Sequence, residues 1–141
     1  MYIVDQPAIE RASAHPEIET ILTEWRDARE RGEKPRWPLE LPAWAVAVDI
    51  CECEPWDDCM VTFRGRDWTA GEFTARIEEI YVFYSVSERA KGEVDVYYTN
   101  GAGVLVPELD PDQSRQEAEQ IAYVIGSAAA ELRTIEEASG A

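Results

Sequence analysis

The residues best suited to chemistry crowd into one stretch, CECEPWDDC at positions 51–59. The stretch holds three cysteines and four carboxylates, in a chain with a single histidine. Cys51 and Cys53 stand two apart on a predicted strand, so both side chains should point to the same face. If EPWDD is a hairpin loop, Cys59 falls opposite Cys53 and joins that face. The residue types at this spacing are compatible with two chemistries, a metal site and a disulfide.

The number and spacing of these ligands argue against a metal site. Structural zinc takes four nitrogen or sulfur ligands, usually from two C-x2-C units or one such unit plus histidines. Here the spacing is C-x-C-x5-C, and His15 stands far away at a predicted helix start. A three-cysteine site completed by Asp57 or Asp58 stays open, as does a Cys53–Cys59 disulfide, which a reducing cytoplasm disfavours. We favour three small, buried free thiols with no bound metal.

Asp49 is the first candidate for an acid or base, because it stands among alanines and valines in AWAVAVDIC. Both alternating sets of that segment are largely apolar, which predicts a central strand covered on both faces. A buried carboxylate needs a partner or shifts its pKa, and such groups cluster at functional sites. We interpret Asp49 as half of a structural ion pair with Arg64 or Arg66, and a role in a site stays open.

No catalytic or cofactor motif is evident in the sequence. A nucleophilic triad lacks members, because there is one histidine and no G-x-S-x-G motif. Gly101 and Gly103 form no phosphate loop, since a strand rather than a helix should follow them. Carboxylate pairs are expected by chance among 29 acids, and nothing selects a glycosidase-type pair. We therefore predict no catalytic, metal-binding or cofactor-binding residues, and favour a binding protein over an enzyme.

The charge of the chain limits its partners. Thirteen basic and 29 acidic residues give a formal net charge of −16. Direct nucleic-acid binding needs clustered lysine and arginine and is not expected, whereas a protein with a basic surface should be attracted. MYIVDQPAIER lacks a signal-peptide pattern, and no run of about 18 apolar residues is present. We predict a cytoplasmic protein that does not bind membranes.

Two helices bracket the chain, which at 141 residues fits a single domain over residues 1–141. The first helix is predicted at about residues 16–31, with Pro16 in its first turn and Gly32 after its end. The last helix is predicted at about 111–137, with a cap at Asp110. Its apolar seam consists of Ile121, Ile125, Ala128, Leu132 and Ile135.

Between the helices, about five strands should fill residues 43–107 as an antiparallel meander. In segment 73–86, apolar spacing and a capping box at 69–72 would suit a helix, but IYVFYSV favours a strand, with a phase slip at 78–79 that a bulge would explain. Asn100-Gly101 predicts a hairpin turn between EVDVYYT and VLVPEL. The predicted fold class is α+β, an antiparallel sheet of about five strands packed against an N-terminal and a C-terminal helix.

Aromatic side chains on the predicted strands suggest an interaction surface. Neighbouring strand residues face opposite ways, so some rings should leave the helix-covered face, where exposed apolar patches mark interaction sites. A second structural layer or a homodimer would cover the same rings. The candidate partner-binding residues are Glu78, Glu79, Tyr81, Phe83, Tyr97 and Tyr98.

The segment from PAW to VPELDPDQSRQEAEQIA, at about residues 42–133, resembles small uncharacterised acidic α+β proteins of actinobacteria and their phages. The shared pattern is a short sheet followed by a proline-capped, alanine-rich terminal helix. This resemblance implies a role that is non-enzymatic or unknown, and it carries no catalytic or binding residue onto the chain.

These observations favour a non-enzymatic acidic protein-binding module, a small regulator or inhibitor of a basic partner. Nucleic-acid mimicry is a special case, which needs rows of carboxylates in place of phosphates. The terminal helix offers such acids at both ends, but it is uncharged from Gln120 to Ala130. The alternative is a small enzyme or ligand-binding protein with a pocket between the sheet and the helices, in which Asp49 would be the first candidate group.

Overall fold

The computed structural model describes residues 9–11, 16–53, 58–84 and 96–140. Within these ranges the chain has the α+β fold that the sequence predicts. In chain order the elements are β1 (Ile9–Arg11), α1 (Pro16–Arg31), β2 (Ala45–Cys53), β3 (Asp58–Gly65), β4 (Trp68–Ala70), β5 (Phe73–Tyr84), β6 (Val96–Leu105) and α2 (Arg115–Ala138). Neither of these helices combines the length and apolar character that crossing a membrane requires.

The strands pair in the spatial order β1-β6-β5-β3-β2, and β4 pairs with β5 beside this path. Apart from β4, strands β2 to β6 follow one another both along the chain and across the sheet, which confirms the predicted antiparallel meander. β1 adds an antiparallel strand to β6, with Ile9 opposite Tyr98. β4 is antiparallel to the start of β5, with Trp68 opposite Ala75.

The residues group into two compact units, and the division falls within the four long strands. Unit 1 comprises Met1–Glu40, Val48–Thr62 and Ile80–Gly101, and therefore contains α1. Unit 2 comprises Leu41–Ala47, Phe63–Glu79 and Ala102–Ala141, and therefore contains β4 and α2. The single domain predicted over the whole chain stays a prediction.

Helix α1 supplies one apolar face to the core of unit 1. Its buried residues are Ile21, Leu22, Trp25 and Ala28. The ring of Trp25 meets Phe83 edge-on, with centroids 5.0 Å apart and planes at 81°. Such a pair contributes about 0.5–1.5 kcal/mol beyond its burial. Trp25 Nε1 also donates to the carbonyl oxygen of Arg36 at 3.1 Å, which ties the proline-rich connector to the helix.

The core of unit 2 lies between the start of β5 and one face of α2. Its buried cluster consists of Phe73, Ala75, Ile121, Val124 and Ala128, with Trp68, Ala70, Val104 and Ile125 packed against it. The predicted seam of α2 therefore contributes as expected through Ile121, Ile125 and Ala128. Val124, which was not among the predicted seam residues, is also fully buried and widens the apolar face.

Strand β5 confirms the strand interpretation of the segment that a helix could also have explained. Its buried residues Phe73, Ala75, Ile77 and Phe83 are all odd-numbered, so one alternation with period two holds along the strand. A bulge at 78–79 is not needed to explain this pattern. The capping box considered at 69–72 is wrong, because Trp68–Ala70 form β4 and pair with β5.

Strand β6 runs without interruption through Asn100-Gly101, so the hairpin predicted there is wrong. Gly101 has the positive φ of 84° that made this dipeptide a turn signal, and its N–H donates to Thr99 Oγ1 at 3.0 Å. The strand does not reverse, because β6 pairs with β5 along the sheet and with β1 at its start. The turn-favouring dipeptide is therefore accommodated within a continuous strand.

Helix α2 begins at Arg115, later than the predicted start at about 111. Ser114 Oγ accepts from the N–H of Glu117 at 3.1 Å, and Glu117 Oε1 accepts from the N–H of Ser114 at 2.9 Å. This reciprocal box satisfies two helix-start N–H groups, whereas Gln113 Nε2 donates to the Asp110 carbonyl oxygen. Residues 106–113 consequently lie outside the helix.

Candidate partner-binding surface

Strand alternation divides the predicted partner-binding residues of β5. Glu79, Tyr81 and Phe83 share one face of the strand, and Glu78 points to the other. Phe83 is fully buried against Trp25, so we assign it to the core of unit 1 rather than to a surface. Tyr81 is half-buried and stacks on Phe83 with ring centroids 6.3 Å apart. This strand therefore offers a partner little exposed aromatic surface through these two rings.

Glu78 is held in an internal ion-pair network of unit 2. Arg76 donates from Nε to Glu78 Oε2 at 2.9 Å and from Nη1 to Asp67 Oδ1 at 3.2 Å. The hydrogen bond to Glu78 is the main reason that the pKa of Arg76 is raised above its ordinary value, and the bond to Asp67 adds to it. The guanidinium therefore stays charged and offsets the charge of Glu78, which leaves that carboxylate less able to attract a basic partner.

Tyr97 and Tyr98 lie on β6, opposite Glu10 and Ile9 of β1. As expected from the sequence, their strand is the neighbour of β5. The side chains of both tyrosines lie outside the described part of the structure. Their part in partner binding stays a prediction.

Strand β2 forms one end of the described sheet, so the prediction of a central strand covered on both faces is wrong. Val46 is 67% exposed, and Asp49 and Cys51 are exposed as well. Side chains of a strand point alternately to the two faces of the sheet, and Ala47, Asp49 and Cys51, which share one face, are all exposed, so that face of β2 is open to solvent. Asp49 is therefore not the desolvated carboxylate that the sequence suggested.

The cysteines fall partly outside the described residues. Cys51 carries an exposed free thiol rather than a buried one, so the expectation of burial fails for this residue. The side chains of Cys53 and Cys59, and residues 54–57 between the strands, lie outside the described part. The absence of a metal and of a disulfide stays a prediction.

A groove of about 670 Å³ in unit 1 runs between the proline-rich connector and β2. It is lined by Lys34, Pro35, Arg36, Trp37, Val48, Asp49, Ile50 and Cys51. Arg36 does not aim its guanidinium at a ligand there, because Nη2 and Nε donate to Glu24 Oε1 at 3.1 and 3.3 Å.

A second groove, also of about 670 Å³, lies in unit 2, and we call it the tryptophan groove. Its walls include Trp44, Arg66, Trp68, Ser127, Glu131 and Thr134. Glu131 accepts from Trp68 Nε1 at 3.0 Å through one oxygen and from Arg66 Nε at 3.2 Å through the other. Arg66 also stacks over the Trp68 ring, 4.1 Å from its centroid. Arg66, one of the two partners predicted for Asp49, thus pairs with Glu131.

Three polar groups of the tryptophan groove, those of Glu131, Arg66 and Trp68, bind one another. The carboxylate of Glu131 is used on both oxygens, and the guanidinium of Arg66 is held on an indole face. What remains for a ligand is mainly aromatic and small aliphatic surface. The arrangement suits binding of an apolar group better than acid–base chemistry.

The clearest candidate surface follows β6, and we call residues 105–112 the acidic-apolar segment. Its large apolar side chains are exposed, Leu105 by 42%, Val106 by 51% and Leu109 by 53%. The exposed carboxylates Glu108, Asp110 and Asp112 stand between and after them. Exposed apolar side chains with charged residues around them are a feature of protein-binding surfaces.

The acidic-apolar segment is held at both ends. Leu105 ends β6, and the capping box at Ser114 fixes the start of α2. Pro107 and Pro111 restrict the backbone between these points, and Gln113 Nε2 bonds back to the Asp110 carbonyl oxygen at 3.3 Å. A segment restricted in this way loses less conformational entropy when it binds.

Sequence reasoning missed this segment because it assigned the residues to a strand and to the first turn of a helix. Two signals could have revealed it. Pro107 cannot donate a hydrogen bond to a neighbouring strand, which favours a strand end before it. Ser114 and Glu117 form the S-x-x-E pattern of a capping box, which places the helix start after the segment.

Comparison with protein-family models, curated proteins and solved structures found no match. The resemblance to acidic actinobacterial and phage proteins is therefore neither supported nor contradicted.

Proposed function

We propose that this chain is a non-enzymatic protein-binding module that engages a basic partner through the acidic-apolar segment. The observation that carries the proposal is the alternation of exposed apolar and carboxylate side chains over residues 105–112. Single exposed apolar residues are common on proteins, but three within five positions form a patch. As a regulator or inhibitor, such a module would act by occupying its partner's surface.

Charge and apolar contact play different parts in this proposal. Residues 105–123 hold five carboxylates and one arginine, a local net charge of −4 within a chain of −16. That field speeds encounter with a basic surface and is screened over about 8 Å at physiological salt. Leu109 and Val106, once buried in the complex, would slow dissociation.

Mimicry of nucleic acid is less well supported than general charge complementarity. Of the acids on α2, Glu117 closes the capping box and Glu131 binds Arg66 and Trp68. Together with the uncharged middle of the helix, this breaks the regular row of free carboxylates that a phosphate backbone would require. The alternative function, binding of a small ligand, would use the tryptophan groove.

The test compares two pairs of variants in a pull-down from an actinobacterial lysate, quantified by mass spectrometry. A partner relevant to the proposal is lost with Leu109→Ser and is retained with Val46→Ser. Both substitutions remove an exposed aliphatic side chain, but Val46 lies outside the segment. A protein that both variants retain, or that both lose, does not use this surface.

The second pair of variants tests the contribution of charge separately from that of the apolar side chains. Asp110→Asn with Asp112→Asn should weaken capture and slow association, whereas Asp27→Asn with Glu30→Gln on α1 should not. All four are exposed acids, and each pair removes two charges. Association measured at rising salt should slow for the native chain and approach the rate of the Asp110/Asp112 variant. Equal rates for all three proteins at low salt would contradict the proposal.

A further inference from the structure

Helix α2 carries a second face, opposite to the one that packs in the core of unit 2. Successive residues turn by about 100°, so positions 4, 7 and 11 residues from Gly126 all point within about 40° of its direction. By the same count, buried Val124 and Ala128 point about 160° away. The residues of this outer face, all exposed, are Arg115, Glu119, Ala122, Gly126, Ala130, Arg133 and Glu137.

The charges of the outer face are arranged symmetrically with opposite signs. Glu119 and Arg133 stand seven residues before and after Gly126, and Arg115 and Glu137 stand eleven residues before and after it. When two copies of this helix lie antiparallel and cross at Gly126, residues at equal distances on the two sides come level with each other. Each acid then meets a base, in four ion pairs related by a two-fold axis.

The centre of the outer face allows the two helices to approach closely. A Cβ added at Gly126 would meet nothing within 4 Å, so the monomer leaves this position open. Ala122 and Ala130 stand four residues to either side and would come level with each other's copies. Tyr123, an exposed aromatic beside this centre, would lie on the same flank as Ala130 of the second copy, a small residue that leaves room for a ring.

We propose that two copies of this chain associate through α2, antiparallel, with the two-fold axis at Gly126. The charge order argues for a second copy as the occupant. A purely basic partner would meet Arg115 and Arg133, and a purely acidic one would meet Glu119 and Glu137. A second copy of the same face, lying antiparallel, places every charge opposite a charge of the other sign. The proposal does not depend on the acidic-apolar segment and goes beyond the proposed function.

The size of the face sets the expected affinity. From Arg115 to Glu137 the helix spans about 33 Å, and one helix face covers less than the roughly 800 Å² per partner of a standard interface. Each exposed ion pair adds little to the binding free energy. The Arg115–Glu119 pair within one helix, at 3.9 Å, is also weak, so both side chains can pair across the dimer instead. A dissociation constant in the micromolar range is therefore expected, about 1–100 μM.

Sedimentation equilibrium on the full chain tests the proposal, with reductant present because Cys51 is an exposed thiol. The native chain should dimerise in the stated range. Arg133→Glu places like charges opposite each other twice and should weaken the dimer by about tenfold or more. Arg26→Glu, an exposed position on α1 with the same change of net charge, should leave the dimer unchanged.

Restoring the charge pairs gives the decisive comparison. The double variant Glu119→Arg with Arg133→Glu carries the same face with its inner charges exchanged, and it should dimerise like the native chain. The two single variants should each be weak alone but should form a heterodimer when mixed. Gly126→Leu should prevent dimerisation by keeping the helices apart, with the helix content by circular dichroism maintained.

A native chain that stays monomeric up to about 200 μM would overturn the proposal. So would a dimer that withstands Arg133→Glu, or one that the double variant fails to restore, because either result places the contact elsewhere on the molecule.

Discussion

Replacing Glu131 by alanine should destabilise the protein more than any other single change to an acid on α2. Its carboxylate accepts from Trp68 Nε1 at 3.0 Å and from Arg66 Nε at 3.2 Å. A hydrogen bond to a charged acceptor contributes about 1.5–3 kcal/mol, and its loss leaves the half-buried indole N–H unsatisfied. The ion pair adds less, about 0.2–1 kcal/mol, because the side chain of Arg66 is 60% exposed.

Together these contributions predict that Glu131→Ala lowers the free energy of unfolding by about 2–4 kcal/mol. At about 3 °C per kcal/mol for a chain of this length, Tm should fall by about 6–12 °C. Urea unfolding followed by far-ultraviolet circular dichroism measures the loss. Glu136→Ala is the matched control, because it makes the same substitution at an exposed site of the same helix and should cost less than about 0.5 kcal/mol.

A double-mutant cycle identifies the indole hydrogen bond as the main cause. In a Trp68→Phe background the donor is gone, so Glu131→Ala should cost only the ion-pair share, about 1 kcal/mol or less. Glu131→Gln keeps an acceptor for one donor and should lie between the native chain and the alanine variant. If Glu131→Ala and Glu136→Ala cost the same, or if the full cost persists in the Trp68→Phe background, the reasoning fails.

Three further outcomes are expected from changes to the core and to two glycines, and a fourth concerns metal. Phe83→Ala should cost about 3–5 kcal/mol in urea unfolding because it opens a cavity beside α1, whereas Tyr81→Ala, at a half-buried ring, should cost less than half of that. Gly71→Ala should lower the free energy of unfolding by about 1–2 kcal/mol, since φ is +60° and the new Cβ would lie 2.7 Å from Gln120 Oε1. Gly126→Ala, in open space on a helix, should instead stabilise by about 0.5–1 kcal/mol at concentrations where the chain is monomeric. Elemental analysis of protein purified without chelator should find well under one zinc per chain, and near-stoichiometric zinc that is lost on Cys53→Ser would contradict this.

Local sequence pattern was sufficient for the type and place of most elements. Helix α1 has the predicted bounds, because Pro16 suits a helix start, Gly32 follows its end, and an apolar stripe of period 3.6 lies between them. Strand β5 was identified by its β-branched and aromatic residues, and its buried positions keep the expected alternation. These features depend on residues a few positions apart, so they can be identified from the sequence alone.

The site was far less predictable, because solvent exposure depends on which segments lie next to each other. Phe83 and Leu109 are both large apolar residues near the ends of strands. Phe83 is covered by Trp25, which is 58 residues away in the chain, whereas Leu109 follows the last strand and stays exposed. Hydrophobicity alone does not distinguish the two, so the sequence assigned the aromatic to a surface and overlooked the leucine.

By itself, then, the sequence determined the α+β class and the strong negative charge, both of which follow from composition and short-range periodicity. The tertiary structure alone decided that β2 ends the described sheet, that β6 passes straight through Asn100-Gly101, and that the large apolar side chains of residues 105–112 are exposed between two fixed ends. The physical reason is that strand pairing is a long-range interaction. Hydrogen bonds to neighbouring strands can override the turn preference of a dipeptide, and the position of a strand in the sheet decides which of its apolar residues are buried.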